Sequence, residues 1–249
     1  MHYTYIMNNT IKELIDRQSI RAYTNQDISK EIKDEILEAT VNAPSAGNMQ
    51  MYSIIDVTDQ TLKNRLSVLC DNQPFIKDAK MVLVFCADYQ KWIDAFDGLN
   101  LNPRHPGSGD LLLSIEDALI AAQNSVTAAW SLGIGSCYIG DIMENYEEIT
   151  SLLKLPQFVY PACMCVYGYI DEKHKPLQKP KRVDNKYLVF ENEYKRLNQN
   201  ELKDMLVDRT LPLGYEEWMK RFIERKYNSD FCKEMSRSAD KYIERYNNK

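Results

Sequence analysis

The chain of 249 residues holds 36 acidic and 31 basic side chains, a formal net charge of -5, with 44% hydrophobic residues. This suits one large domain or two small ones around a substantial core. The cations are dispersed, so there is no basic stripe to track nucleic acid. No stretch approaches the roughly 18 apolar residues of a spanning helix, and "MHYTYIMNNTIKELIDRQ" lacks the apolar run of a leader peptide. A soluble, cytoplasmic chain is expected, with neither membrane nor nucleic acid as partner.

In chain order, a short helix precedes Arg17, and a second spans Ile28 to Asn42 on the stripe Ile28, Ile32, Ile36, Leu37 and Val41. "APSAGNMQ" (Ala43 to Gln50) has the Pro, Ser, Gly and Asn of a loop. Met51 to Val57 reads as a strand, a short helix carries Leu62, Leu66 and Leu69, and "MVLVFCA" (Met81 to Ala87) reads as a buried strand. "LNLNPRHPGSGD" (Leu99 to Asp110) is a loop. The helix Leu111 to Leu132 is rich in alanine and apolar on more than one face, and belongs in a core or a subunit interface. It stops at Gly133, a natural left-handed terminator. "GSCYIGDI", a helix from Glu144 to Leu153 and a strand from Ala162 to Tyr169 follow.

Residues 183–249 are strongly charged with helical spacing, too polar for a core of their own, and are expected to pack on residues 1–182 or on a partner subunit. The elements predict an α+β fold: a mixed, largely antiparallel sheet with helices on both faces and a C-terminal helical extension. Cys70, Cys86, Cys137, Cys163, Cys165 and Cys232 lie mostly in apolar surroundings and read as buried thiols. Cys163 and Cys165 share a face if their segment is a strand. The histidines, His2, His105 and His174, supply no zinc spacing beside that pair, so no metal is expected.

No nucleophile elbow, Walker loop or dinucleotide fingerprint occurs; in "GIGSCYIG" the glycine ends a helix instead of opening one. The polar residues left to consider are Arg17–Arg21 in "RQSIR", Ser45–Gln50, Gln73, Gly140–Asp141 and Lys179–Arg182 in "KPKR". Each has a plain reading. The two arginines could complement a helix dipole, the loop could be only a connection, Gln73 could be a turn residue before Pro74, and "KPKR" could be a solvated basic cluster. The arginines could equally be half of an anion site.

Taken in order, "RQSIRAY", "APSAGNMQ", "VLVFCAD", "DALIAAQNSVTAAWSLGIGSCYIGDI", "YPACMCVYGYI" and "KPKR" resemble the flavin-dependent nitroreductase family, from Arg17 to Arg182. The long tail is similar to the NADPH–nitroreductase and NADPH–flavin oxidoreductase branch. The resemblance implies FMN as cofactor, with NADPH or NADH as electron donor. It assigns Arg17, Gln18, Ser19 and Arg21 to the phosphate and the adjoining cofactor edge. Lys179 and either Lys181 or Arg182 would close on that phosphate from the other side. Ser45, Asn48 and Gln50 would contact the flavin, Gln73 would hydrogen-bond the isoalloxazine ring, and Ile139, Gly140 and Asp141 would border flavin N5.

It further implies ping-pong hydride transfer through flavin N5 to nitroaromatics, quinones or flavins. No side chain acts as acid or base, and the sites are shared across a homodimer. Three positions depart from the family pattern. Arg17–Gln18 stands where the branch shows histidine–arginine, "KPKR" replaces a plainer Lys-Pro-Arg, and Asp141 replaces a second glycine, placing a negative charge near the ring unless it turns outward. A non-catalytic FMN-binding redox sensor, a specialised flavin reductive enzyme on the same fold, and a colourless dimeric scaffold are the competing readings. The 2′-phosphate of NADPH has equal candidates in Arg196, Arg209 and Arg221.

Overall fold

A computed structural model describes residues 8–99, 101–173 and 179–248. His2, Asn100 and His174 lie outside the described residues. The chain divides into two compact units, one made of residues up to 175 together with 234–249, the other of residues 176–233. Composition had suggested a division at 182/183.

The first unit is built on four strands, β1 (Tyr52–Asp56), β2 (Met81–Asp88), β3 (Ile134–Ile139) and β4 (Val159–Tyr169), ordered β1-β2-β4-β3 with every pair antiparallel. A parallel bridge from Ser19 to Ser136 adds the N-terminal segment to the β3 edge. β2 is buried along its whole length, and β4 along all but its last residue, so helices must cover both faces of the inner strands. Pro161, which has no N–H to give, lies beside a register shift: Phe85 pairs with Cys163 but Cys86 with Pro161, leaving Ala162 as a bulge.

The helices of this unit are α1 (Asn9–Asp16), α2 (Lys30–Val41), α3 (Gln60–Leu69), α4 (Phe75–Asp78), α5 (Gln90–Asp97), α6 (Ser108–Ser131) and α7 (Tyr146–Leu153). Side-chain oxygens of Asn8, Ser29 and Asp59 cap α1, α2 and α3 by accepting from the backbone N–H three residues on. α6 packs along the sheet, its Ala118, Ala121, Ala122 and Ala129 buried, and Ser125 Oγ lies 2.6 Å from the hydroxyl of Tyr167 on β4. Gly133 ends it at φ +75°, the left-handed conformation expected there.

Beyond the sheet come α8 (Gln199–Met205), α9 (Val207–Thr210), α10 (Tyr215–Phe222) and α11 (Asp230–Asn247). α8–α10 lie in the second unit, where Lys181 pairs with Asp208 and Lys186 with Asp204. α11 from Glu234 onward belongs to the first unit, whose core contains Tyr242 and Tyr246. Tyr242 packs edge-on against Tyr146 and Tyr160, and Tyr246 against Phe158. Five cysteines are buried thiols and Cys232 is half-buried. α5 is an element the hydropathy pattern had left unassigned.

Candidate functional site

Two glycines make the bed on which the N-terminal arginines lie. Gly135 on β3 and Gly168 on β4 face each other in register. A Cβ on Gly135 would come within 2.7 Å of the Ile20 side chain, and one on Gly168 within 2.7 Å of the Tyr23 ring. Ile20, only 1% exposed, and Tyr23 therefore seat directly on bare backbone. Ile20 N–H donates to Ser136 O at 2.9 Å, Thr24 N–H to Tyr169 O at 2.9 Å, and Tyr23 Oη to Ile20 O at 2.8 Å. The segment thus runs as an added edge beside β3, with polar side chains along it.

Those side chains are Arg17, Gln18, Ser19 and Arg21. Arg17 stands at the C-cap of α1, its backbone N–H donating to Glu13 O at 2.9 Å. The guanidinium nevertheless goes elsewhere: Arg17 Nη1 and Gln18 Oε1 are both buried with no hydrogen-bond partner among the described residues. Buried polar atoms without partners are rare because each carries an uncompensated desolvation cost. Burial raises the Cys137 thiol, while Arg21, Ser19 and Arg17 beside it pull it down. Arg21 lies over the Phe75 ring, 5.8 Å from its centroid, which brings the N-terminal segment to the turn that carries Gln73.

That turn is tightly specified. Asp71 and Asn72 both take left-handed φ, at 59° and 52°. Gln73 N–H donates to Ser67 O at 2.9 Å, and its carbonyl accepts from Ile76 at 3.1 Å. The Gln73 side chain donates to Cys70 O at 2.9 Å and to Asp141 Oδ2 at 2.8 Å. Asp141 therefore does not turn outward: it turns onto Gln73. It follows directly on Ile139, the buried last residue of β3, and the exposed Gly140. Behind it, Glu144 is 5% exposed, and its carboxyl is pushed up to about 7 by burial first, then by the charges of Asp141, Asp71 and Glu234.

Ser45, Asn48 and Gln50 are not brought to this cluster. Their loop enters β1, at the opposite edge of the sheet from β3, three strand steps away, or about 14 Å at the usual spacing. Gly47, Asn48 and Gln50 all have positive φ, at 56°, 57° and 49°. Gln50 N–H donates to Ser45 Oγ at 3.1 Å and its amide to Val41 O at 3.2 Å.

The residue that holds this loop is Asp117. It is 2% exposed inside α6; its Oδ1 accepts from Ala46 N–H at 2.8 Å and its Oδ2 from Met51 N–H at 3.1 Å. Trp92 Nε1 donates to Met49 O at 3.1 Å from α5. The visible signal was a carboxylate within an alanine-rich helix. Lys179, Lys181 and Arg182 lie in the second unit; there Lys181 is paired with Asp208, and Arg182 lines a cleft with Lys186, Tyr187, Asp204 and Arg209. No group of three or more His, Cys, Asp or Glu suited to a metal occurs among the described residues.

Comparison with known proteins gives the family. Residues 14–169 match the model of the nitroreductase family. The NAD(P)H FMN reductase of Bacillus subtilis (strain 168) is 33% identical over 242 residues, 96% of this chain and 92% of its own. The oxygen-insensitive NADPH nitroreductase of Salmonella typhimurium is 34% identical over 193 residues, 78% of each chain. Among solved structures, the NADPH:FMN oxidoreductase of Vibrio harveyi complexed with NAD+ superposes with a TM-score of 0.79 at 29% identity, covering 95% of this chain and 98% of its own. By family model, relatives and fold alike, this chain belongs to the nitroreductase family.

Proposed function

We propose that the protein is an FMN-dependent NAD(P)H oxidoreductase that reduces nitroaromatics, quinones or flavins, with donor and acceptor using one face of the cofactor in turn. The observation that carries this reading is the two buried, unpartnered atoms that Arg17 and Gln18 place at the β3 edge. One is a guanidinium donor, Arg17 Nη1, and the other an amide acceptor, Gln18 Oε1. A simple anion would satisfy the first and repel the second. A ligand bearing both a phosphate and hydroxyl or ring N–H donors satisfies both, and FMN is such a ligand. The NAD(P)H dependence of the similar Bacillus and Salmonella enzymes supports the donor.

Bound FMN would supply the two-electron chemistry, leaving the chain to position and polarise it. Arg17 and Arg21 would hold the phosphate, Ser19 would add a hydroxyl, and Gln73 would address the ring. The backbone where β3 ends, at Ile139 and Gly140, would line the reacting edge without adding a titratable group.

A homodimer is part of the same reading. Ser45, Asn48 and Gln50 stand at the far edge of the sheet from Arg17, and in this reading a second copy would present them to the cofactor held by the first. An apolar surface is available for pairing: Leu112, Leu113, Leu119 and Ile120 on α6 are 40–60% exposed, and Ile11, Leu14 and Ile15 on α1 are 38–52% exposed.

The test is the visible spectrum of the purified protein under anaerobic conditions, before and after addition of NADPH and then NADH. The expected result is a flavin band that bleaches within seconds and returns on adding a nitroaromatic or quinone. A persistent flavin band would leave the sensor or another flavin reaction. A protein that stays colourless after incubation with FMN would refute the cofactor assignment.

A further inference from the structure

Taking the proposed FMN site as its basis, we infer that Asp141 is a positioning residue that fixes the Gln73 side chain as a hydrogen-bond acceptor toward a ring N–H of the flavin. The two residues are 68 positions apart in sequence and meet at 2.8 Å. A primary amide has two N–H donors and one carbonyl acceptor. Both donors of Gln73 are spent, one on the backbone carbonyl of Cys70 and one on the Asp141 carboxylate. Both neighbours only accept, so the nitrogen end must face them whichever way the amide is drawn.

What remains to meet a ligand is Oε1. The backbone of Gln73 is equally committed, to Ser67 and Ile76, so the residue cannot swing to offer a different group. The edge of an isoalloxazine ring alternates carbonyl acceptors with an N–H donor. An amide free to rotate could pair with either, but this one pairs only with the N–H. An aspartate stands in place of the family's second glycine, and its contact with Gln73 sets the polarity of that neighbour.

The like charges around Asp141 separate this role from a merely structural one. Asp141 adds repulsion to the buried Glu144 carboxyl, so removing it relieves the fold. Asp141→Ala is therefore expected to bind FMN on the order of tenfold more weakly, the worth of one such hydrogen bond, while its melting temperature stays level or rises. Asp141→Asn retains an acceptor for Gln73 and should bind within about threefold of the parent.

The deciding experiment is a double-mutant cycle on the FMN dissociation constant of the full-length protein, measured by flavin fluorescence quenching in the parent, Gln73→Ala, Asp141→Ala and the double variant. The expected result is that the double variant binds no more weakly than Gln73→Ala alone. Additive losses, an unaffected Asp141→Ala, or an Asp141→Asn as weak as Asp141→Ala would each overturn the positioning role while leaving the FMN reading intact. A parent protein that binds no FMN would instead remove the cofactor reading on which the inference rests.

Discussion

Replacing Glu144 by glutamine should uncouple the stability of the fold from pH across the neutral range. The Glu144 carboxyl is 5% exposed and is held at about 7, against an ordinary 4.5, by burial and by the neighbouring Asp141, Asp71 and Glu234. The unfolded chain releases this proton near its ordinary value and the folded chain keeps it to about 7, so between these limits the fold binds more protons. Stability must then fall as pH rises through that window, and the loss is complete above it. The distance from 4.5 to about 7, at about 1.36 kcal/mol per unit, sets a ceiling of about 3 kcal/mol, and solvent relaxation brings the expected cost to about 1.5–3 kcal/mol. Glutamine carries no charge and keeps the shape. Glu144→Gln should match the parent at pH 5 and exceed it at pH 8 by that amount, a rise in melting temperature of about 3–10 °C for a chain this long. The assay is a series of thermal scans of both proteins from pH 5 to pH 8, in which the difference cancels every other titrating group. A difference that stays flat across the series would refute the account of Glu144.

Three further outcomes follow from the geometry. Asp117→Asn sets an amide N–H against one of the two backbone donors, of Ala46 and Met51, that the carboxylate now accepts. It should cost about 2–4 kcal/mol of stability, and a melting temperature within 1 °C of the parent would remove Asp117 as the anchor of the loop. Gly135→Ala drives a methyl to 2.7 Å from Ile20 and should cost about 1–3 kcal/mol while displacing Arg17 and Arg21. Its signature is weakened FMN binding by titration, and unchanged affinity would show that the segment is not seated by the glycine. Leu119→Glu places a charge in the exposed apolar stripe of α6. Sedimentation velocity should show a smaller species than the parent, and equal sedimentation would refute the stripe as the dimer face.

Local chemistry made the elements legible, and long-range contacts made the site only partly so. The α6 helix was expected over Leu111 to Leu132 and spans Ser108–Ser131, because alanine periodicity and a left-handed glycine mark it without help from the rest of the chain. α5 went unassigned because its eight residues follow a buried strand directly, and its role, the bond from Trp92 to Met49 O, lies outside its own pattern. Gly135 carries no local mark because nothing near it in sequence shows that Ile20 will rest on it. Asp117 went unassigned because its two partners lie 66 and 71 positions away.

Asp141 shows what such distance conceals. Read along the chain, its charge is a perturbation set beside the flavin. Paired with Gln73, it becomes part of how the chain presents a single hydrogen-bonding polarity to its ligand. The two readings differ in sign for affinity. A bare negative charge beside a cofactor that carries an anionic phosphate should hinder binding, and its removal should help. A charge spent on orienting an amide should help binding, and its removal should hurt. The Asp141→Ala measurement therefore decides between a residue that the site tolerates and a residue that the site uses.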